Sequence, residues 1–200
     1  MTDRPRSPDL VAELLVHLGR AARSEDGRSG LTAAQWTCLR FFARANGSTR
    51  TPSAFASFQA TTRGTASQIV KSLERRGLVA RHPARRDGRS VCFDLTASGR
   101  AMLARDPLRA LIDAIDAIEE TERERLRQTL SRLASALSDS RDAPAFGTCR
   151  DCTHFAAGAE RAYCACMAAE LTGEELDKLC ASYRGPAHGM QTEGERDERA

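Results

Sequence analysis

Leu10, Leu14, Leu15 and Leu18 recur at helical intervals and predict a helix from Pro8 to about Arg23. A polar, glycine-containing stretch from Glu25 to Gly30 then reads as a loop. Thr32, with Gln35 three positions on, forms a capping box in which each side chain satisfies the other residue's backbone N–H. It opens a second helix to about Arg44, which Asn46-Gly47 ends. Thr51-Pro52 is a cap followed by a first-turn proline, opening a short helix through Phe55 and Phe58. After a break at Thr61-Thr62 the helical spacing resumes from Arg63 to Arg76. Ala66, Ile69, Val70 and Leu73 share one face and leave Arg63, Ser67, Gln68 and Lys71 on the other. Gly77 stops this helix. Leu78 to Arg81 and the alternating Val91 to Leu95 predict two strands, joined by a charged turn over Pro83 to Arg89 that contains Asp87-Gly88.

Thr96 caps a further helix whose apolar positions, from Met102 and Leu103 to Ile115 and Ile118, continue past Pro107. That continuity predicts a kink at the proline rather than an end. A last helix carries Leu126, Leu130, Leu133 and Leu137, a seam too narrow to be a core by itself and one that wants a partner helix. The fold class that results is mainly α with a small β-hairpin: helix, tight turn, helix, then a hairpin with a basic tip, which is a winged helix-turn-helix. Residues 1–137 form this body, with a lobe at about 31–96 between outer helices at about 8–23 and 97–137. Residues 138–148 read as a linker, 149–184 as a cysteine-rich module, and 185–200 as a polar tail expected to be disordered.

Charge sharpens the picture. The formal net charge is only +3. From Thr61 to Ser90, however, eight basic residues face Glu74 and Asp87 alone, whereas Asp113 to Glu124 holds six acids against Arg123. Such segregation suits a surface that meets a polyanion. A helix fits the DNA major groove, where Arg63, Ser67, Gln68 and Lys71 reach base edges and phosphates. Thr62 and Thr65 flank Gly64 at the start of this helix, where backbone and helix N-terminus favour a phosphate. Arg85, Arg86 and Arg89 at the hairpin tip would lie along the flanking backbone and minor groove. No apolar run is long enough to span a bilayer and no leader-like segment follows Met1, so a cytoplasmic protein is expected. No nucleophile–base arrangement suggests an enzyme.

These elements resemble the MarR-type transcriptional regulators. The resemblance rests on Leu31-Thr32-Ala33-Ala34-Gln35-Trp36, on Leu73-Glu74-Arg75-Arg76-Gly77-Leu78-Val79, and on Asp87-Gly88-Arg89-Ser90 followed by Leu95-Thr96-Ala97-Ser98-Gly99-Arg100. It covers roughly residues 10–137. It implies a homodimer whose first and last two helices interleave, with two wings reading a pseudo-palindromic site on double-stranded DNA. It also implies that Asp87 orients the wing and that Arg89 is the minor-groove arginine. The family usually represses transcription and releases DNA when a small ligand or an oxidant shifts the dimer. One departure is the turn Ala60-Thr61-Thr62-Arg63-Gly64-Thr65, less conventional than the family's short Leu-Ser turn.

Beyond this body lie five of the seven cysteines: Cys149-x2-Cys152, Cys164-x-Cys166 and Cys180. Clustered thiols in a cytosolic protein point to metal binding before disulfides. The expected ligands are Cys149, Cys152, Cys166 and Cys180, with Cys164 as the alternative to Cys166. Zinc suits four thiolates in a short module, while the irregular second half is closer to iron–sulfur ligation, toward which the reading leans. Free or regulatory thiols are the other possibility. Thr172 with Glu175 predicts a short helix with Cys180 near its end. Cys38 reads as a core residue. Cys92 faces away from Val91 and Phe93, as an ordinary strand residue or an exposed oxidation sensor. The expected function is a DNA-binding regulator, a repressor, whose cysteine centre senses redox, iron or metal supply. Alternatives are a ligand-responsive regulator with a structural zinc, or a thiol or electron-transfer protein.

Overall fold

The computed structural model describes residues 7–22, 29–83, 91–141, 143–158 and 162–185. Helix α1 spans Pro8–Ala21, α2 Ala33–Arg44, α3 Pro52–Phe58 and α4 Arg63–Arg75. Strands β1 (Val79–Pro83) and β2 (Val91–Leu95) pair antiparallel, from Val79 opposite Leu95 to Pro83 opposite Val91. Helices α5 (Ala97–Leu103), α6 (Arg109–Asp116) and α7 (Glu120–Ser140) follow. This is a mainly helical winged helix-turn-helix with a two-stranded hairpin. The caps fall where side-chain chemistry puts them. Thr32 and Gln35 close their capping box, while Thr51, Thr62 and Thr96 each accept an N–H of the first turn of their helix.

The core lies between α2, α3, α4 and the hairpin. Trp36, Leu39, Phe41, Phe42, Phe55, Val70 and Leu73 are buried there, and Cys38 is fully buried among them. Phe41 is the hub of the aromatic contacts, with ring centroids 5.6 Å from Phe42, 5.6 Å from Phe55 and 5.0 Å from Phe58.

Pro107 ends the helix that was expected to bend through it. The chain leaves α5 at Leu103, and Asp106 turns it by accepting the Leu108 N–H at 2.8 Å. Proline supplies no donor to the ladder and its ring disfavours helical geometry at Asp106, so two short helices replace one kinked helix. Asp106 also lies 3.4 Å from the Arg40 guanidinium, which ties this break to α2.

The segment 138–148 is not a free spacer. Helix α7 continues to Ser140, and Phe146 packs edge-on against Phe58 at 5.2 Å and Phe41 at 6.2 Å. The module beyond it consists of short strands: β3 (Gly147–Thr148), β4 (Phe155–Ala157), β5 (Ala162–Cys164), β6 (Ala169–Leu171) and β7 (Leu179–Cys180). A 3-10 turn over Cys149–Asp151 and the helical turn α8 (Gly173–Leu176) interrupt them. Strands β4, β5 and β6 form one antiparallel sheet, and β3 pairs with β7. Thr172 and Glu175 form their capping box as expected, but Cys180 belongs to β7 and not to a helix end. The tail from residue 186 lies outside the described residues.

Gly99 gives the Thr96–Arg100 stretch its structural reason. A Cβ at this buried position would lie 2.0 Å from the Leu78 carbonyl oxygen. Thr96 donates its N–H to the same carbonyl and its hydroxyl to the Gly77 carbonyl, so α5 is laid directly on the end of α4. Gly99→Ala forces backbone apart from backbone and should cost about 3 kcal/mol. For a chain of this length that lowers the melting temperature by roughly 6–12 °C in thermal unfolding followed by circular dichroism. A melting temperature equal to wild type would refute this packing.

Candidate functional site

The helix-turn-helix is locked by two C-terminal turns of one kind. At the end of α3, Ala60 takes a positive φ of 51°, its N–H bonds to the Ser57 carbonyl, and the Thr61 N–H reaches back to Ala56. At the end of α4, Gly77 (φ 67°) and Leu78 repeat the pattern onto Glu74 and Leu73. Both are Schellman closures, which satisfy the orphaned carbonyls of a helix end through one left-handed residue. Gly77 adopts this geometry freely. Ala60 holds it at a cost of about 1–2 kcal/mol, offset by the tight turn it makes possible.

Between the two closures α4 is divided lengthwise. Ala66, Val70 and Leu73 are buried, Arg63, Thr65, Gln68 and Lys71 are exposed, and Ser67 is half-buried. Thr62 spends its hydroxyl on the cap, accepting the Thr65 N–H at 3.1 Å and lying 2.9 Å from the Thr65 hydroxyl. A cleft of about 360 Å³ runs beside this face, lined by Thr51, Pro52, Ser53, Arg63, Ser67 and Val91. Arg76, counted in the basic stretch, has a structural task instead. Its guanidinium donates to the Gly30 carbonyl at 2.6 Å and the Ser29 carbonyl at 3.1 Å, holding the entry to α2. Arg85, Arg86, Asp87 and Arg89 lie outside the described residues.

The base of the wing is described and is strongly tied down. Asp94 pairs with Arg50 and lies 2.9 Å from His82 Nε2. The Phe93 N–H donates to the Arg50 carbonyl at 2.8 Å. Cys92 is buried, with its sulfur 3.6 Å from the Gly47 carbonyl, and burial raises its pKa. It is therefore a packed strand residue and not an exposed sensor. His82, which carries no signal in the sequence, finds its partner only when the hairpin closes.

In the module, Cys149, Cys164 and Cys180 are buried and Cys152 is half-buried, whereas Cys166 is exposed. Burial pushes the Cys149 thiol up to about 11, and the nearby Cys180, Cys164 and Cys152 push in the same direction. Burial also raises Cys180, against the Ser182 N–H and the Asn46 side chain, which hydrogen-bond to it and lower it. The Arg184 N–H points at Cys152 Sγ from 3.5 Å. Cys164 is buried and Cys166 turned outward because Cys164 ends β5 opposite Phe155 while Cys166 sits in the following turn. Among the described residues no group of three or more His, Cys, Asp or Glu side chains is close enough to hold a metal ion as it stands.

The module is held at both ends. Toward α7, Arg127 bonds Asp151 at 2.8 Å and Glu124 at 2.7 Å, and this guanidinium, with Gln128, holds the Glu124 carboxyl down to about 2. Tyr183 stacks over Gly147 so closely that a Cβ there would lie 2.5 Å from its ring, and its hydroxyl and Ser135 Oγ both crowd Gly185. Toward the lobe, Leu179 bridges to Ala45 and its carbonyl accepts the Asn46 N–H at 2.9 Å. Thr49 Oγ1 accepts the Ala181 N–H at 2.9 Å. A second cleft, of about 410 Å³, lies between α1, α2, the turn at Ala60 and α6, with Thr37, Arg40, Phe58, Leu108 and Leu111 among its lining residues.

These features define a winged helix-turn-helix unit with an appended thiol module. Residues 29–90 of the chain match the model of the MarR family. Among solved structures, a mutant of MepR from a multidrug-resistant S. aureus clinical isolate is similar, with a TM-score of 0.51 and 19% identity over 67% of this chain and 99% of that one. The crystal structure of an S. aureus MepR–DNA complex gives 0.49 and 19% over 66% and 96%. The transcriptional regulator SlyA gives 0.48 and 18% over 67% and 96%. No curated protein matches the sequence. The first of these likenesses supports the winged-helix fold, and among the described residues no helix is long and apolar enough to cross a membrane.

Thiol reactivity gives a direct check on the module. In metal-free native protein at pH 8, iodoacetamide should label Cys166 first, while Cys38 and Cys149 stay unlabelled. Because the Cys149 pKa is raised, its thiolate appears only as pH climbs toward about 11, and its labelling should rise over that range. Peptide mapping by mass spectrometry reads the order, and early labelling of Cys149 at pH 8 would contradict the burial described.

Proposed function

We propose that this chain is a sequence-specific DNA-binding transcriptional regulator that acts as a homodimer in the cytoplasm, as a repressor. Its cysteine module holds a thiol-ligated centre, iron–sulfur or zinc, that reports redox, iron or metal supply. The observation that carries the DNA-binding reading is the divided α4, whose Arg63, Thr65, Gln68 and Lys71 form an exposed polar face backed by a buried one. A helix presented in this way fits the major groove, with the arginine-bearing wing beside it. Thr62, Thr65 and the cleft at Thr51 and Arg63 suit the phosphate backbone, which positions a protein without selecting sequence. Asp87 would orient the wing, with Arg85 and Arg86 on the backbone and Arg89 in the minor groove.

The homodimer reading rests on unpartnered apolar faces. Leu14 and Leu18 of α1 are 50% and 47% exposed, and Leu133 and Leu137 of α7 are 44% and 55% exposed. The end helices would interleave with those of a second copy, as family resemblance implies. A second reading, a ligand-responsive repressor with a structural zinc, is supported by the cleft under α1 and α6, which has the size of a small-molecule site and a lining of mixed polarity.

The test is selection of duplexes from a random pool, followed by affinity measurements on the selected sequence. Selection should return a pseudo-palindrome. Lys71→Ala should weaken binding to all sequences alike and reduce the salt slope by about 1. Gln68→Ala should cost about 1–3 kcal/mol and relax preference at one base position. Arg89→Ala should cut affinity strongly while the dimer persists in sedimentation. Failure to enrich any sequence would overturn the reading.

A further inference from the structure

The appended module and the wing are bonded to the same short segment, residues 45–50. Its start takes the module. Ala45 bridges to Leu179 of β7, and the Asn46 N–H donates to the Leu179 carbonyl at 2.9 Å. Just before it, Lys178 Nζ donates to the Ala43 carbonyl at 3.3 Å. The end of the segment takes the wing. The Arg50 carbonyl accepts the Phe93 N–H at 2.8 Å and the Arg50 guanidinium pairs with Asp94, both residues of β2. Thr49 stands between the two ends. It is 1% exposed, and its Oγ1 accepts the Ala181 N–H at 2.9 Å.

The segment is closed on itself, so a displacement at one end reaches the other. Asn46 accepts the Thr49 N–H through Oδ1 at 2.9 Å and through its carbonyl at 3.0 Å. Arg50 Nε reaches back to the Ala45 carbonyl at 2.9 Å. The links to the wing differ in weight. The pair of Arg50 with Asp94 is partly solvated and adds little. Phe93 is buried, so its N–H depends on the Arg50 carbonyl. Past Arg50 the chain enters Thr51, Pro52 and Ser53, which with Arg63, Ser67 and Val91 line the cleft beside α4. The placing of this segment therefore sets where β2 and the start of α3 lie against the exposed face of α4.

Resting on the reading of the chain as a DNA-binding regulator, we propose that Thr49 is a positioning residue for the wing. By taking the Ala181 N–H it lets the module hold the 45–50 segment and, through the Arg50 carbonyl, strand β2 in the arrangement that meets DNA. A wing placed in advance loses less freedom when a duplex binds, and affinity rises accordingly. The module then serves DNA reading through its docked β7 end, independently of what its thiols hold.

The experiment uses the full chain and two readouts, amide hydrogen exchange in the free protein and affinity for the selected duplex. Thr49→Val keeps the side chain's shape and removes the acceptor, whereas Thr49→Ser keeps the acceptor. Thr49→Val should speed exchange at Phe93 by about tenfold, and Thr49→Ser should leave it at the wild-type rate. Ala181→Pro removes the same hydrogen bond from the module's side and should match Thr49→Val, which keeps the test open if the valine variant fails to fold. On DNA, Thr49→Val should lower affinity about tenfold. In an Arg89→Ala background, where the wing contact is already gone, its effect should shrink to under about twofold, while in a Lys71→Ala background it should persist in full. A general loss of stability would act equally in both backgrounds, and that result would overturn the positioning role. Wild-type exchange at Phe93 in both Thr49→Val and Ala181→Pro would overturn the coupling itself. If no duplex is enriched, the DNA-binding reading fails, and exchange at Phe93 still decides whether the module holds the wing.

Discussion

The arrangement of this chain depends on a polar turn that the fold buries. Asn46 is 8% exposed and Thr49 1% exposed, between the end of α2 and the start of α3. A buried polar group without a partner costs about 1–3 kcal/mol, so each has to be answered from somewhere. Within the turn, Asn46 Oδ1 answers the Thr49 N–H. Two further demands are met from more than 130 residues along the chain, where Leu179 accepts the Asn46 N–H and Ala181 donates to the Thr49 hydroxyl. Strand β2 meets the turn from the other side through Arg50 and Gly47. Satisfying one short turn therefore decides where both the module and the wing sit.

Magnitudes separate the contacts that hold the module from those that decorate it. The ion pairs of Arg127 with Asp151 and of Arg150 with Asp177 are largely solvated, and exposed pairs are worth about 0–1 kcal/mol. Phe146, set among Phe41 and Phe58, and Tyr183, laid on Gly147, bury aromatic surface. Complete burial of a large apolar side chain is worth about 1.5–3 kcal/mol, and these two, half-buried, gain a part of that. The apolar contacts fix the docking, and the charges set its direction.

The winged helix was legible in the sequence because each of its elements is specified locally. Thr32, Thr51, Thr62 and Thr96 are caps readable from one turn of sequence, and Gly77 is a stop readable from one residue. Ala66, Val70 and Leu73 follow a single period. What escaped is what depends on distance. Pro107 was read as a kink because the apolar period runs through it, yet the Asp106 turn and its tie to Arg40 on α2 decide the outcome. Phe146 looked like linker, since nothing near it in sequence announces Phe41. That Cys164 is buried and Cys166 exposed depends on which of them ends a strand, and three-residue strands leave almost no periodic signal. The partnership of His82 with Asp94 needs the hairpin register, which links residues twelve apart.

The outer helices carry the last step of the reasoning. Helix α1 has fourteen residues and none of them is buried. An isolated helix of about this length is marginal in water, because nucleation is costly and most helical stability comes from packing an apolar face. Helix α6 likewise buries nothing, and α7 buries only Ser135 over twenty-one residues. These segments keep strongly amphipathic sequences, with Leu10, Leu14 and Leu18 on one stripe and Leu126, Leu130, Leu133 and Leu137 on another. The lobe core is complete without them. Their apolar stripes therefore need a surface that the described residues do not supply, and the proposed homodimer supplies it from the same two helices of a second copy. On that reading association is a condition of order at both ends of the body. The module holds α7 through Arg127 and Asp151, and so bears on a helix that on the same reading lies between the two copies.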